Sequence, residues 1–421
     1  MRRIITISLV AIVIFIFLPD KSGAQKITIA PLPHLPPYFF VVDKSKQEIY
    51  LFSYNSTLRL LMKKQCSTGN RDGDKFSEGD MRTPEGVYFI THRIRERLNY
   101  TLYGGIAYGL NYPNPVDRIF GKYGHGIWLH GRGKRLLPRD TKGCVAVHTQ
   151  FLYSLQHIIK QGFSPILIAR EISILKRAPK KLSQEEALIL QRVKRWKTLW
   201  ERKDPEFFSL YNPLLFSRSS GKRFSSFVAK KLGYFKRYKW IDIFIPKIYL
   251  VKGPYYWVSF FYQYFRSPLF ESEGVKRLYW MKVGGGWKIV GSEWREKALH
   301  LHRRYLAESK KRITMFLDRW LRAWKGADIR EYALFYDKNA SQNNRRGLNA
   351  IVAHKKKIWS QSPPLSIQIS QVHIKMVRSG FEVSFLQDYW AKDYHDRGKK
   401  ILVIEPHEGS YLIERESWSK K

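Results

Sequence analysis

The C-terminal half of this chain contains a duplication, and that constrains the fold more than any other feature of the sequence. Trp196, Trp200 and Asp204 recur as Trp320, Trp324 and Asp328, each 124 residues later. Val258-Ser259-Phe260 and Tyr264 recur as Val383-Ser384-Phe385 and Tyr389 at an offset of 125, and Trp294 recurs as Trp418 at 124. A constant offset with a single-residue slip marks two units of one design. Each unit is expected to open with helices. Ser183 and Glu186 have the spacing of a capping box for the first helix. Ser309 is the expected N-cap of its counterpart, running to Lys325. Asp204-Pro205 puts proline at the permissive first position of a further helix. Strand-like runs follow at 240–245, 256–264, 278–283 and 287–290 in the first unit. Helices followed by antiparallel strands form an α+β pattern. The tryptophans four apart share one helical face, which reads as core packed on the sheet, with a pocket-lining role as the alternative.

The N-terminal third is different. Short β-branched or aromatic runs at 39–42, 49–52, 88–90, 127–129 and 166–169 predict a mostly-β domain. One helix is expected, with Thr149 as N-cap, an apolar face from Phe151 to Ile159 and an end at Gly162. Pro31, Pro33, Pro36 and Pro37 mark an extended linker ahead of the domain. Arg2 and Arg3, the apolar run over 4–18 and the small residues Ser22-Gly23-Ala24 together read as a signal peptide. That run is shorter than the roughly twenty residues of a membrane span, so an exported chain without a transmembrane helix after cleavage is expected, in the periplasm or cell envelope. The expected organisation is a signal peptide over 1–24, a linker over 25–36, the mostly-β domain over 37–170, a linker over 171–182, and two repeats over 183–297 and 298–421.

Seventy-five Lys and Arg against 35 Asp and Glu give a formal charge of +40. Such a balance favours an anionic partner. Export and the lack of a recognisable nucleic-acid module point away from nucleic acid and toward an anionic cell-envelope polymer; basicity that merely keeps the protein soluble or loosely attached is the alternative. The two cysteines are Cys66 and Cys144. In an oxidising compartment a disulfide is the default, but a bond to Cys144 would silence it as a nucleophile and leave its flanking residues unexplained. Cys144 follows Thr141-Lys142-Gly143 and stands downstream of His130-Gly131. A histidine on a neighbouring strand could deprotonate the thiol. Gly143 allows a sharp turn, so that backbone amides around Cys144 could hold an oxyanion. The same residues are also compatible with a buried cysteine and a core histidine that never meet. His125 and His130 are five apart and point to opposite faces of an extended segment, and no ligand set has zinc spacing, so neither metal nor cofactor is expected. His148, four residues from Cys144, would stand about 13 Å away on an extended strand, too far to serve as base.

His130-Gly131 followed by Thr141-Lys142-Gly143-Cys144-Val145 resembles the signature of the L,D-transpeptidase catalytic domain, the YkuD family. Upstream, Ser67-Thr68-Gly69 and Thr83-Pro84-Glu85-Gly86-Val87-Tyr88 resemble two further family elements in the expected order. The resemblance spans 37–170. It departs from the family two residues after the cysteine, where an arginine is usual and this chain has Ala146. The order and aromatic spacing of the repeats resemble the cone fold of nuclear transport factor two and SnoaL, and the whole arrangement is similar to cell-shape L,D-carboxypeptidases.

These resemblances imply a multidomain enzyme: a mostly-β catalytic domain followed by two α+β cones. Cys144 would attack the stem tetrapeptide of peptidoglycan and release D-alanine, with His130 as base and then acid. The Gly131 carbonyl would orient the imidazole, the Gly143 and Cys144 amides would bind the oxyanion, and Thr141 would support the loop. His125 and Lys142 are the expected substrate-binding residues. Transfer to an amine makes a transpeptidase; the alternatives are transfer to water, a carboxypeptidase, and a non-catalytic wall-binding adaptor.

Overall fold

Phe39-Phe40-Val41-Val42 is apolar at every position rather than at alternate ones, the pattern of a strand covered on both faces. In the computed structural model, which describes residues 26–420, both faces of that strand are buried. The first strand, β1 (Lys26–Ile29), precedes an eight-stranded closed barrel. The barrel comprises β2 (Tyr38–Asp43), β3 (Glu48–Asn55), β4 (Thr57–Ser67), β5 (Gly86–Arg93), β6 (Ala107–Leu110), β7 (Trp128–Arg132), β8 (Val145–His148) and β9 (Pro165–Ala169). Around the barrel the order is β2-β3-β4-β8-β7-β6-β5-β9. Phe40, Val42, Ile49, Leu51, Tyr88, Ile90, Leu129, Val145 and Val147 fill its interior. Their neighbours Phe39, Val41, Tyr50, Phe52, Val87 and Phe89 point outward and join a second core, shared with the first repeat.

Both repeats are cones of helices packed on a curved sheet. The first has β11 (Asp242–Phe244), β12 (Ile248–Lys252), β13 (Tyr256–Arg266), β14 (Glu271–Val283) and β15 (Gly286–Glu296), preceded by β10 (Glu171–Ile174) and the helix Lys180–Glu201. The second has β16 (Tyr336–Gln342), β17 (Arg345–Arg346), β18 (Pro364–Val377), β19 (Gly380–Ala391), β20 (Tyr394–His407) and β21 (Ser410–Lys420), behind the helix Leu301–Lys325. The duplication extends to the pairing register. Lys276 faces Trp294 and Leu278 faces Ser292 across β14 and β15, just as Lys400 faces Trp418 and Leu402 faces Glu416 across β20 and β21. Trp196 and Trp200 pack with ring centroids 4.9 Å apart, and Trp320 and Trp324 with theirs 5.0 Å apart. Trp196 and Trp320 are core, while Trp200 and Trp324 also line a cavity in each cone.

Several local expectations are corrected by contacts from far along the chain. Ser183 lies inside its helix, because Glu186 accepts from the His34 N–H (2.9 Å) instead of serving a capping box. Ser309 is buried in mid-helix. The helix starts at Leu301, where the Glu273 carboxylate of the other cone accepts from the His300 and Leu301 N–H groups (2.8 and 2.7 Å). Thr149 does not cap; its hydroxyl donates to the Arg132 carbonyl (3.0 Å), and the helix it opens ends at Ser154. Pro205 does open a helical element as expected, with Asp204 accepting from the Glu206 N–H (2.8 Å), but the element Pro205–Leu210 is a 3-10 helix. The two segments read as linkers pair with each other: β1 and β10 run parallel, Leu32 and Leu35 are buried, and the Leu250 N–H donates to the His34 carbonyl (2.8 Å). The expected signal peptide lies outside the described residues. Among those residues no helix is long and apolar enough to cross a membrane.

Barrel and first cone share polar contacts as well as a core. The Val87 N–H donates to the Tyr256 hydroxyl (2.7 Å) in a buried site, and the Phe260 ring packs edge-on against Phe89 and at a steep tilt against Phe163, both 5.0 Å away. Phe260→Ala should therefore cost about 3–5 kcal/mol, the usual range for a buried phenylalanine. Urea unfolding followed by barrel-specific and cone-specific probes should show both units shifting together; a shift confined to the cone would contradict a shared core.

Candidate active site

Strand parity sorts the two halves of the site. Leu129, Val145 and Val147 point into the barrel, so His130 and Ala146 lie on the opposite face. The parallel register of β7 and β8 pairs His130 with Ala146, and Cys144 stands two residues before Ala146, immediately ahead of β8. His130 and Cys144 are thus diagonal neighbours on adjacent strands, and the Cys144 thiol donates to the Gly126 carbonyl (3.5 Å). Cys66 pairs with Val147, is buried in the interior, and so faces away from Cys144. Both thiols are free.

The His130 Nδ1 lies 2.6 Å from the Gly131 carbonyl oxygen. A carbonyl only accepts, so Nδ1 carries the proton and Nε2 keeps its lone pair for a thiol. Burial pulls the imidazole down to about 4, outweighing that hydrogen bond, so it is neutral at physiological pH. Burial pushes the Cys144 thiol up to about 11, against a hydrogen bond from the Trp128 N–H to its sulfur (3.4 Å) and the more distant Lys75 charge. The resting pair is a neutral thiol beside a neutral imidazole, the arrangement of a general base rather than of a standing ion pair.

The loop before the cysteine is braced by the motif residues. The Thr141 hydroxyl donates to the Cys144 carbonyl (2.8 Å) and accepts from the Gly143 N–H (3.1 Å). That second bond occupies the Gly143 amide, contrary to its expected place among the oxyanion donors. Gly143 has φ +128°, and a Cβ there would sit 2.8 Å from the Arg82 carbonyl oxygen. Thr141 bridges to Gly69, and the Thr83 hydroxyl accepts from the Gly69 N–H (2.8 Å). The upstream elements therefore position the cysteine loop from behind. His125 and Lys142 are both exposed; the His125 ring lies 3.5 Å from the Glu78 carboxylate. His148 is exposed at the end of β8.

Three contributors, Tyr103, Lys44 and Arg132, were not singled out in the sequence. The Tyr103 ring stands edge-on to His130 (5.1 Å) and tilted against Trp128 (5.3 Å). Lys44 is buried with Glu85 (2.8 Å) and donates to the Thr83 carbonyl (2.8 Å), tying down that motif. Arg132, two residues beyond His130 and on its face, donates to the Asp140 carbonyl (2.7 Å) and its carboxylate. Ala146, fully buried, is paired on one side with His130 and on the other with Ser67. Only Arg132 carries a local signal, its even spacing from His130. The others act through contacts made by the closed barrel.

Cys144 and His130 thus lie on the outer face of a small closed barrel that is joined to two cones. The L,D-transpeptidase catalytic domain (YkuD) matches residues 37–168, and the Cds6 C-terminal NTF2-like domain matches twice, at 188–293 and 312–417. The chain thus carries a YkuD L,D-transpeptidase catalytic domain followed by two tandem domains of the Cds6 C-terminal NTF2-like family. Among solved structures it is similar to Bd1075 from Bdellovibrio bacteriovorus, at 26% identity over 66% of this chain and 98% of that one, with a TM-score of 0.51. It is also similar to the helical cell shape determining protein Pgp2 from Campylobacter jejuni, at 26% identity over 63% of this chain and 95% of that one, with a TM-score of 0.50. No curated protein matches it.

The ionisation states give a pH prediction. Raising pH toward 11 ionises the Cys144 thiol, so alkylation by iodoacetamide should climb about tenfold per pH unit through the neutral range, in step with the thiolate fraction. Lowering pH through about 4 protonates His130 and removes the base, so turnover should fall there and stay level between pH 5 and 8. A turnover midpoint near 6.5, that of a solvated imidazole, would contradict the buried His130 as base.

Proposed function

We propose that this protein is a cell-envelope peptidoglycan enzyme that removes the terminal D-alanine of stem tetrapeptides through a Cys144 acyl-enzyme. The observation that carries it is the placement of Cys144 beside His130 with Nδ1 tied to the Gly131 carbonyl. His130 Nε2 takes the thiol proton as Sγ attacks the carbonyl that precedes D-alanine. The oxyanion accepts from the Cys144 N–H, the Gly143 amide being engaged by Thr141. As the tetrahedral adduct collapses, the C–N bond breaks, and His130 returns its proton to the departing amine. A thioester remains on Cys144. Water, deprotonated by His130, then releases the tripeptide and restores the thiol. His125 and Lys142, exposed on the rim, contact the stem.

Water is favoured as acceptor by two features. Ala146 stands where the family usually places an arginine near the nucleophile, and the chain is similar to a helical cell shape determining protein. The second reading keeps the same thioester and gives it to an amine, forming a crosslink. It rests on the YkuD domain itself, named for transpeptidation.

Purified enzyme given a disaccharide-tetrapeptide should yield tripeptide and free D-alanine by mass spectrometry; a dimer lacking one D-alanine would establish the transpeptidase instead. Cys144→Ala should abolish either product. His130→Ala should lower the rate by about 10²–10⁴, the usual contribution of general acid–base catalysis, and His148→Ala should change it little. Neither product from folded protein with a free Cys144 would leave the adaptor reading.

A further inference from the structure

Arg132 and Ala146 stand on adjacent strands and form one arrangement. Within the order β4-β8-β7, Ala146 of β8 is flanked by Ser67 of β4 and His130 of β7. Arg132 follows two residues after His130 on the same outer face of β7. The loop 133–144, which carries the chain to Cys144, is fastened on the far side, along the end of β4. There the Arg139 N–H donates to Gln47 Oε1 (2.8 Å), the Asp140 N–H to the Ser67 hydroxyl (2.8 Å) and the Thr141 N–H to the Thr68 carbonyl (3.1 Å). Three consecutive amides are thus held from the β4 side. Arg132 holds the same stretch from the β7 side, its Nη2 donating to the Asp140 carbonyl (2.7 Å) and to the Asp140 carboxylate.

This reach has a steric condition. Arg132 starts on β7 and ends on a loop fastened to β4, so its guanidinium crosses β8, which lies between them. The outward residues of β8 are Ala146, fully buried, and His148, which turns to solvent. The methyl group of Ala146 leaves the passage open, and a longer side chain there would occupy it. The Arg132 side chain is only 6% exposed, as expected of a group laid across the strand. Lys134 also meets the Asp140 carboxylate (3.3 Å), but it belongs to the loop itself and cannot tie that loop to a strand. Arg132 bears on the base as well. Burial first, and then the Arg132 charge, hold the His130 imidazole down against its bond to Gly131, and the Tyr103 ring packs edge-on against it (5.1 Å).

We propose that Arg132 is the positioning residue of the reacting pair: its guanidinium, passing over Ala146, fixes the cysteine loop through Asp140 against the strand that carries His130. Ala146, where the chain departs from the YkuD pattern, is then the opening this arrangement requires. The inference rests on Cys144 and His130 as nucleophile and base.

The test is a double-mutant cycle in the full chain, of Arg132→Ala, Ala146→Arg and the two combined, with Arg132→Lys beside it. Turnover is read on a disaccharide-tetrapeptide, and loop order by hydrogen exchange of the amides at 139–143, which needs no turnover. Arg132→Ala should lower kcat about 100-fold, the effect of an ångström-scale misplacement, with KM little changed. Exchange over 139–143 should quicken while β2 and β5 keep theirs. The acid limb of turnover should rise above about 4, because a cation near His130 has gone. Arg132→Lys keeps the charge and hence that limb, but regains only part of the rate, since an ammonium lacks the planar fork. Ala146→Arg alone should displace the native guanidinium and slow turnover. Combined with Arg132→Ala it should recover about tenfold over Arg132→Ala and restore slow exchange, since the two positions then share one guanidinium. Arg132→Lys carries the test if the larger changes do not fold. Unchanged exchange over 139–143 in Arg132→Ala, a combined variant whose two losses simply multiply, or an acid limb that moves equally in Arg132→Lys would overturn the proposal. Absence of turnover in the unchanged protein would count against the proposed reaction alone, and the exchange pattern would still decide the role of Arg132.

Discussion

Arg277 reaches from the sheet of the first cone to lie 4.1 Å from the Phe89 ring of the barrel, where it donates to the Gly162 carbonyl. The rest of the molecule is arranged around this junction. It is possible only because β2, β3, β5 and β9 are apolar on both faces, so that one side of the barrel turns its outer surface into core. The opposite side, β7 and β8, is thereby the side left for chemistry. Burial of the first surface and placement of Cys144 on the second are one decision of the fold. The parallel pair β1 and β10 closes the same junction, because both strands flank the crossing from barrel to cone.

The reactive loop depends on short-range geometry in turn. Gly143 must be glycine because its φ and the Arg82 carbonyl exclude a side chain. Thr141 spans the loop by donating to one end and accepting from the other. Burial then sets the ionisation of the pair, holding both groups neutral and leaving the proton to move only when a substrate arrives. A neutral thiol is also the form less open to oxidation, since the thiolate is the reactive one.

What could be read from the sequence was what neighbours in the chain determine. Thr141, Gly143 and Cys144 act through contacts spanning a few residues, and the repeat shows itself as a spacing. The cone strands 256–264 and 278–283 were found because their aromatic and branched residues are contiguous. Helix starts were misplaced wherever the cap comes from elsewhere: Glu273 caps a helix of the next cone, and Glu186 is drawn off by His34. Lys44 and Tyr103 were invisible for the same reason, since a buried lysine or an edge-on ring acquires its role only after the barrel closes. The proline-rich segment read as a tether because proline signals an extended chain but not whether a neighbouring surface will receive it.

The barrel and the first cone are joined by a common interior and not by a flexible tether, and this has a consequence for how the molecule meets a polymer. Cys144 and the cavity of that cone stand at a set separation and orientation. Any polymer long enough to touch both points would have to match that span. Neither point can be moved relative to the other without opening the apolar surface that barrel and cone bury together.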